Sequence, residues 1–312
     1  MEYGERLARL PRAASALQHI ASDNRSGAAE ILRSSAEVFS LLEAGKITDA
    51  EEARLLVIET GIALVRAQPV MAPVMNLASR AVSAAIANPD QAIKSAVEAA
   101  EIFISETGRA IDMAAWRAAD LIKDGAAVLT HSRSSTVLGA FIRAHSAGAR
   151  FDVIATESRP LLEGRTLASE LAREGISVSV IADGAAALVM ERVRMILLGA
   201  DKVTPRHLVN KIGTRMIALA AREQALPVYA IADKSKFINA AETFSFTGEQ
   251  RSAEELWPAA PLHVAVLNQY FEPTPLDYFT GIIAEDALLS SEEAARRAAA
   301  MEIHPALIDT SI

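Results

Sequence analysis

One change of pattern constrains this chain more than any other feature. Up to about residue 120 its apolar residues recur at helical spacing, as in Ala28, Ile31, Leu32 and Ala36, or Leu55, Ile58, Ile62 and Val65. From Asp124-Gly125 onward, short apolar runs alternate with helical stretches. The runs are Ala126 to Thr130, Phe151 to Thr156, Ile176 to Ala182, Val193 to Leu198, Pro227 to Ala232 and Val264 to Leu267. The helix candidates between them cover 134–147, 162–174, 184–191 and 210–225. Strands separated by helices need right-handed crossovers and a mainly parallel sheet covered on both faces. The pattern therefore predicts an α/β protein, with a helical N-terminal domain over residues 1–120 and a sheet-containing C-terminal domain over 121–312.

Local punctuation agrees with this division. Asp49 with Glu51 and Glu52 reads as the charged first turn of a helix. Gly148 and Gly175 sit where helix C-caps belong, and Ser290 with Glu293 forms a capping box that opens a final helix over Ala294 to Met301.

Several function classes are excluded by what the chain lacks. It has no cysteine, so disulfides, thiolate zinc sites and a cysteine nucleophile are absent. No two glycines are separated by a single residue, and no G-x-x-x-x-G-K-[ST] occurs, which removes the dinucleotide fingerprint and the P-loop. The six histidines show no metal-ligand spacing, so no metal is expected. A formal net charge of −8 argues against direct nucleic-acid binding, which needs cations to displace phosphate counterions. The N-terminus MEYGERLARLPR is charged from its second residue, and no uncharged apolar run approaches the roughly 18 to 20 residues that a membrane helix needs. The expectation is a cytoplasmic protein without membrane contact.

Polar residues cluster after the strand candidates, at the sheet edge where open α/β folds bind ligands. Within ILLGADKVTPRHLVNKIGT, the strand candidate Ile196 to Leu198 leads into Asp201, and Asn210 and Lys211 follow before the next helical run. The loop Thr130-His131-Ser132-Arg133-Ser134-Ser135-Thr136 offers hydroxyls and helix N-terminal amides to an anion; plain N-capping by Ser134 or Ser135 reads equally well. Arg159 in TESRP could grip a phosphate with its fork or pair with Glu157 or Glu163. Asp183 reads as a cap. An ion pair between Asp201 and Lys211 is the structural alternative for the central loop. Together these loops suit a phosphorylated polyol, with cations holding the phosphate and a carboxylate moving protons between hydroxyls.

The segments THSRSSTVL, TESRPLLEGRTLASEL, GADKV…NKIGT and ADKSKF resemble the regulatory alpha, beta and delta subunits of translation initiation factor 2B. They are similar as well to methylthioribose-1-phosphate isomerase and ribose-1,5-bisphosphate isomerase of the same superfamily. The resemblance implies a helical N-terminal domain, a Rossmann-like C-terminal domain, a pocket for a phosphorylated sugar or nucleotide, no cofactor, and a homodimer or larger homo-oligomer. By position it implies Asp201 and Ser132 as catalytic residues, and Arg25, Gly27, Ala28, Ser134, Ser135, Arg159, Asn210 and Lys211 as substrate-binding residues. Asn210 is implied as a ligand of sugar hydroxyls.

Three departures from the family pattern stand out. Ser132 falls where the isomerases place a catalytic cysteine; a hydroxyl is a far weaker acid than a thiol, and the initiation-factor subunits carry serine there too. The loop TPRHLV is short and lacks the family's Asn-Gly turn. The isomerases' Arg-Pro-Thr segment has no clean counterpart in RAQPVMAPVMNL, where Arg66 lies near but Met71 takes the gapless position. Two functions therefore follow from the resemblance. One is an aldose–ketose isomerase acting on a ribose 1-phosphate derivative, of the methylthioribose 1-phosphate or ribose 1,5-bisphosphate type. The other is a non-catalytic regulatory subunit that binds a sugar phosphate or nucleotide.

Overall fold

Helices with one apolar face build the first part of the chain. In the computed structural model, which describes residues 4–24, 26–240 and 251–308, these are α1 (Glu5–Ala8), α2 (Pro11–Ser22), α3 (Ala28–Leu41), α4 (Ala50–Ala67), α5 (Ala72–Ala87) and α6 (Ala92–Ala119). Asp49 opens α4 by accepting the Glu52 amide at 2.7 Å. Pro73 occupies the first turn of α5, where a missing N–H costs nothing. Helix α4 buries Leu56, Val57 and Leu64 against Val74, Leu77 and Val82 of α5. Gly61 lets the helices close: a methyl there would lie 3.0 Å from Val82 and 3.1 Å from Leu307.

The chain divides into two compact units, Met1–Arg109 with Ala300–Ile312, and Ala110–Ala299. The described tail belongs to the first unit because Leu307 enters its core and the His304 amide donates to Ser79 Oγ at 2.8 Å.

The second unit is built on strands β1 (Ala127–Thr130), β2 (Asp152–Thr156), β3 (Ser177–Ile181), β4 (Met195–Leu198), β5 (Lys202–Val203), β6 (His207–Lys211), β7 (Val228–Ile231), β8 (Phe271–Pro275), β9 (Gly281–Ile283) and β10 (Leu288–Leu289). Its helices are α7 (Ser135–Ser146), α8 (Glu163–Arg173), α9 (Thr214–Glu223) and α10 (Ser291–Ala299). Among the described residues seven strands form one sheet in the order β10-β9-β7-β4-β1-β2-β3, parallel except for β10. From β1 the chain winds outward through β2 to β3, then returns to β4 on the other side of β1 and winds outward again. The crevice between the ends of β1 and β4 is thus the topological switch point. Gly148 and Gly175 end α7 and α8 at φ 98° and 77°, and the Ser290–Glu293 capping box opens α10.

The architecture is the expected α/β one, with three local corrections. Val264–Leu267 forms no strand: Val264 and Leu267 are exposed, and after the turn closed by the Val264 amide on the Pro261 carbonyl the stretch finds no ladder partner among the described residues. The sheet takes β9 and β10 in its place. The helix expected over 184–191 is a 3-10 turn spanning Asp183–Arg192. The helix expected from residue 210 starts at Thr214, because Asn210 and Lys211 end β6. Strand β6 lies between β5 and β8 in a small antiparallel sheet, and within TPRHLV residues 204–206 make the hairpin turn while 207–209 already belong to β6, folded back onto β5.

Candidate functional site

The switch point brings the loop after β1 against the loop after β4. Gly199 makes this approach possible, since a methyl there would lie 2.7 Å from Ser134 Cβ. Two residues on, the half-buried carboxylate of Asp201 makes no hydrogen bond and no ion pair among the described residues. Removal from water pushes its pKa above the usual carboxylate range. That desolvation outweighs the pull of the nearby Lys236 and Lys211 ammonium groups; Glu163 pushes further up and Lys202 pulls down. An unpaired carboxylate that holds a proton more tightly than usual, at the carboxyl edge of a parallel sheet, is equipped for general acid and base chemistry.

The cations beside it are held by different devices. The buried Lys211 gives its ammonium to Glu163 Oε1 at 2.6 Å and lies 5.1 Å from the centre of the Tyr270 ring. The anticipated alternative, an ion pair from Lys211 to Asp201, does not form. Lys236, 9% exposed, makes neither ion pair nor side-chain hydrogen bond among the described residues. Its backbone is set by Asp233, whose carbonyl accepts the Lys236 amide at 2.9 Å in the turn after β7. Asn210 donates to Thr214 Oγ1 at 2.9 Å, and Thr214 in turn donates to the Lys211 carbonyl, so the end of β6 is locked onto the start of α9.

A buried polar chain fixes the loop after β1. His131 Nε2 lies 2.7 Å from the Ile212 carbonyl oxygen, which can only accept, so this nitrogen carries the proton. Burial keeps the ring neutral by lowering its pKa, and Nδ1 then accepts from the Thr156 hydroxyl. The Ser132 amide donates to Ser158 Oγ at 2.8 Å, with Ser132 at φ 67° and Ser158 at φ 64°. Asp183 receives the amides of Ser158 and Arg159, both at 2.7 Å, so it anchors the loop after β2.

The other anticipated site residues fall as follows. Ser134 is the N-cap of α7, accepting the Val137 amide, and Ser135 is exposed in its first turn. Arg159 is exposed and donates to the Leu256 carbonyl at 3.2 Å, pairing with neither Glu157 nor Glu163. The N-terminal amides of α9 are occupied, since Glu272 Oε1 accepts from Gly213 and Arg215. Gly27 and Ala28 open α3 in the first unit, and Arg25 lies outside the described residues. Sequence reasoning passed over Lys236 and gave Glu163 only an incidental part. Both had a signal: Lys236 follows β7, the strand next to β4, and Glu163 opens the helix after β2.

A model of the Initiation factor 2 subunit family matches residues 24–290. Ribose 1,5-bisphosphate isomerase of Archaeoglobus fulgidus is 39% identical over 186 residues, 55% of this chain and 56% of that protein. Methylthioribose-1-phosphate isomerase of Geobacter metallireducens is 34% identical over 223 residues, 65% of this chain and 64% of that protein. The chain thus spans less than two thirds of the length of either. Among solved structures, the Pyrococcus horikoshii translation initiation factor eIF-2B is similar with a TM-score of 0.79 and 30% identity, covering 89% of this chain and 97% of that one. The 5-methylthioribose 1-phosphate isomerase of the same organism gives a TM-score of 0.72 at 25% identity, covering 95% and 93%.

Proposed function

This chain belongs to the Initiation factor 2 subunit family, and on that premise we propose that it is an aldose–ketose isomerase acting on a ribose 1-phosphate derivative. The observation that carries the reading is the Asp201 carboxylate: unpaired among the described residues, high in proton affinity, and flanked by the equally unpaired ammonium of Lys236. In such an isomerisation a proton delivered to the ring oxygen opens the ring. The hydrogen on C2 then moves to C1, and O2 releases its proton as C2 becomes the ketone. No electrons are exchanged with the protein, so no cofactor is needed. Asp201 gives and retakes the proton, Ser132 orients a hydroxyl, and Asn210 binds sugar hydroxyls. Lys211 and Lys236 add positive potential beside the substrate, while Ser134, Ser135 and Arg159 hold the phosphate. The names of the isomerase relatives support a phosphorylated sugar as substrate. The working state is a cytoplasmic homodimer or larger homo-oligomer.

Ser132 favours a second reading, because an alcohol lends a proton far less readily than a thiol. In that reading the same cleft binds a sugar phosphate or nucleotide without turning it over, as in a regulatory subunit. Incubation with methylthioribose 1-phosphate or ribose 1,5-bisphosphate, with Asp201→Asn as control, separates the two. Turnover above the control supports the isomerase. A ligand-dependent rise in melting temperature without turnover supports the regulatory subunit.

A further inference from the structure

Glu163 stands in a relation to Asp201 that the proton chemistry of Asp201 does not by itself require. It opens α8, where Gly164 lets the helix start close under β2: a methyl at Gly164 would lie 1.7 Å from the Thr156 carbonyl oxygen. The Glu163 backbone therefore has little freedom to move. Its Oε1 holds the Lys211 ammonium at 2.6 Å across 48 residues of sequence, and its Oε2 is buried with no hydrogen-bond partner among the described residues. A buried carboxylate oxygen left unpaired is costly, which marks a placement that ordinary packing does not explain. Four charged groups act on Asp201: Lys236, Lys211, Glu163 and Lys202. Of these, Lys211 and Glu163 are bonded to each other, and Asp201 is bonded to none.

We propose that Glu163 is a positioning residue that sequesters Lys211, keeping that ammonium from pairing with Asp201 and so leaving the Asp201 carboxylate free to exchange a proton with a bound sugar. The inference rests on the reading of Asp201 as the proton carrier. Free of Glu163, the Lys211 ammonium is available to Asp201, whose carboxylate it already acts on, and an ion-paired Asp201 gives up its proton far more readily. Glu163 thus acts through Lys211 rather than by touching substrate.

The test reads the Asp201 titration directly, by carbon-13 NMR of the full chain labelled at aspartate carboxyls, with Asp201→Asn to assign the signal. It needs no turnover, so it holds even if no sugar phosphate is converted. Glu163→Gln is expected to lower the Asp201 midpoint by on the order of one pH unit or more. In a Glu163→Gln, Lys211→Met double variant the fall should largely vanish relative to Lys211→Met alone. Glu163→Asp, which withdraws the carboxylate by one methylene, should give an intermediate midpoint and covers the case where Lys211→Met fails to fold. An unmoved midpoint in Glu163→Gln overturns the proposal. So does an equal fall with and without Lys211, or a Glu163→Asp midpoint equal to wild type, since either would mean that Glu163 acts only through its own field.

Discussion

His131 donates its Nε2 proton to the Ile212 carbonyl oxygen at 2.7 Å and so ties the loop after β1 to the loop after β6. Gly213, at φ 107°, is shaped to this contact: a methyl there would lie 2.9 Å from the same nitrogen. One buried imidazole thus brings Ser132 and Asn210-Lys211 into a fixed relation. His131→Ala leaves the Ile212 carbonyl and the Thr156 hydroxyl without this partner, so denaturant unfolding should show a loss of about 1–3 kcal/mol.

His131 also predicts a pH dependence. Burial lowers its folded pKa below the ordinary 6.5. Below that value the unfolded chain binds a proton that the folded one refuses, so stability rises with pH in this range. The contribution is fully present above pH 6.5 and is lost as pH falls from there toward the folded pKa. Melting temperatures from about pH 8 to 5 should decline on the acid side, and His131→Gln should flatten that decline.

Asp201 carries the opposite sign. Its raised pKa means that folding is penalised once the unfolded carboxyl ionises, above the ordinary value of 3.8. Asp201→Asn removes the penalty and should melt higher than wild type near neutral pH, with the gain disappearing below pH 3.8. If the chain is an isomerase, its turnover should be abolished in the same variant. A variant that melts lower than wild type near neutral pH would show that the carboxylate serves the fold rather than the chemistry.

Ser132→Cys installs the acid that the isomerase resemblance places at this position. If the chain turns over a ribose 1-phosphate derivative, kcat should rise by about 100-fold, the lower end of what a well-placed general acid supplies. Equal, negligible rates in wild type and in the Ser132→Cys variant, with ligand stabilisation intact, would favour the regulatory reading.

Gly164 offers a packing test. Gly164→Ala drives a methyl into the Thr156 carbonyl, so the helix must shift, at a cost of about 1–3 kcal/mol or more. Gly184→Ala, where nothing lies within 4 Å, serves as the neutral control in the same thermal melt.

Much of this protein is legible in short-range pattern, because the forces involved act between residues a few positions apart. The runs that form β1, β2, β3, β4 and β7 are visible as apolar segments bounded by polar turns. The helix starts at Asp49, Ser134 and Ser290, the first visible as a charged first turn, follow from side chains meeting amides three residues ahead. Val264–Leu267 shows the limit: an apolar run becomes a strand only if a neighbouring strand completes its ladder, and none does so among the described residues. The hairpin of β5 and β6 is hidden for the converse reason, since its short strands are stabilised by pairing with the distant β8.

Local periodicity is enough to dictate that helices come first, that β/α alternation follows, and that Asp201 stands at a strand's end. It could not foretell that β1 lies beside β4, that Lys211 belongs to Glu163 and not to Asp201, or that Lys236 stays unpaired near Asp201 among the described residues. Those outcomes depend on the order of strands in the folded sheet. That order sets which distant side chains meet, and no spacing along the chain records it.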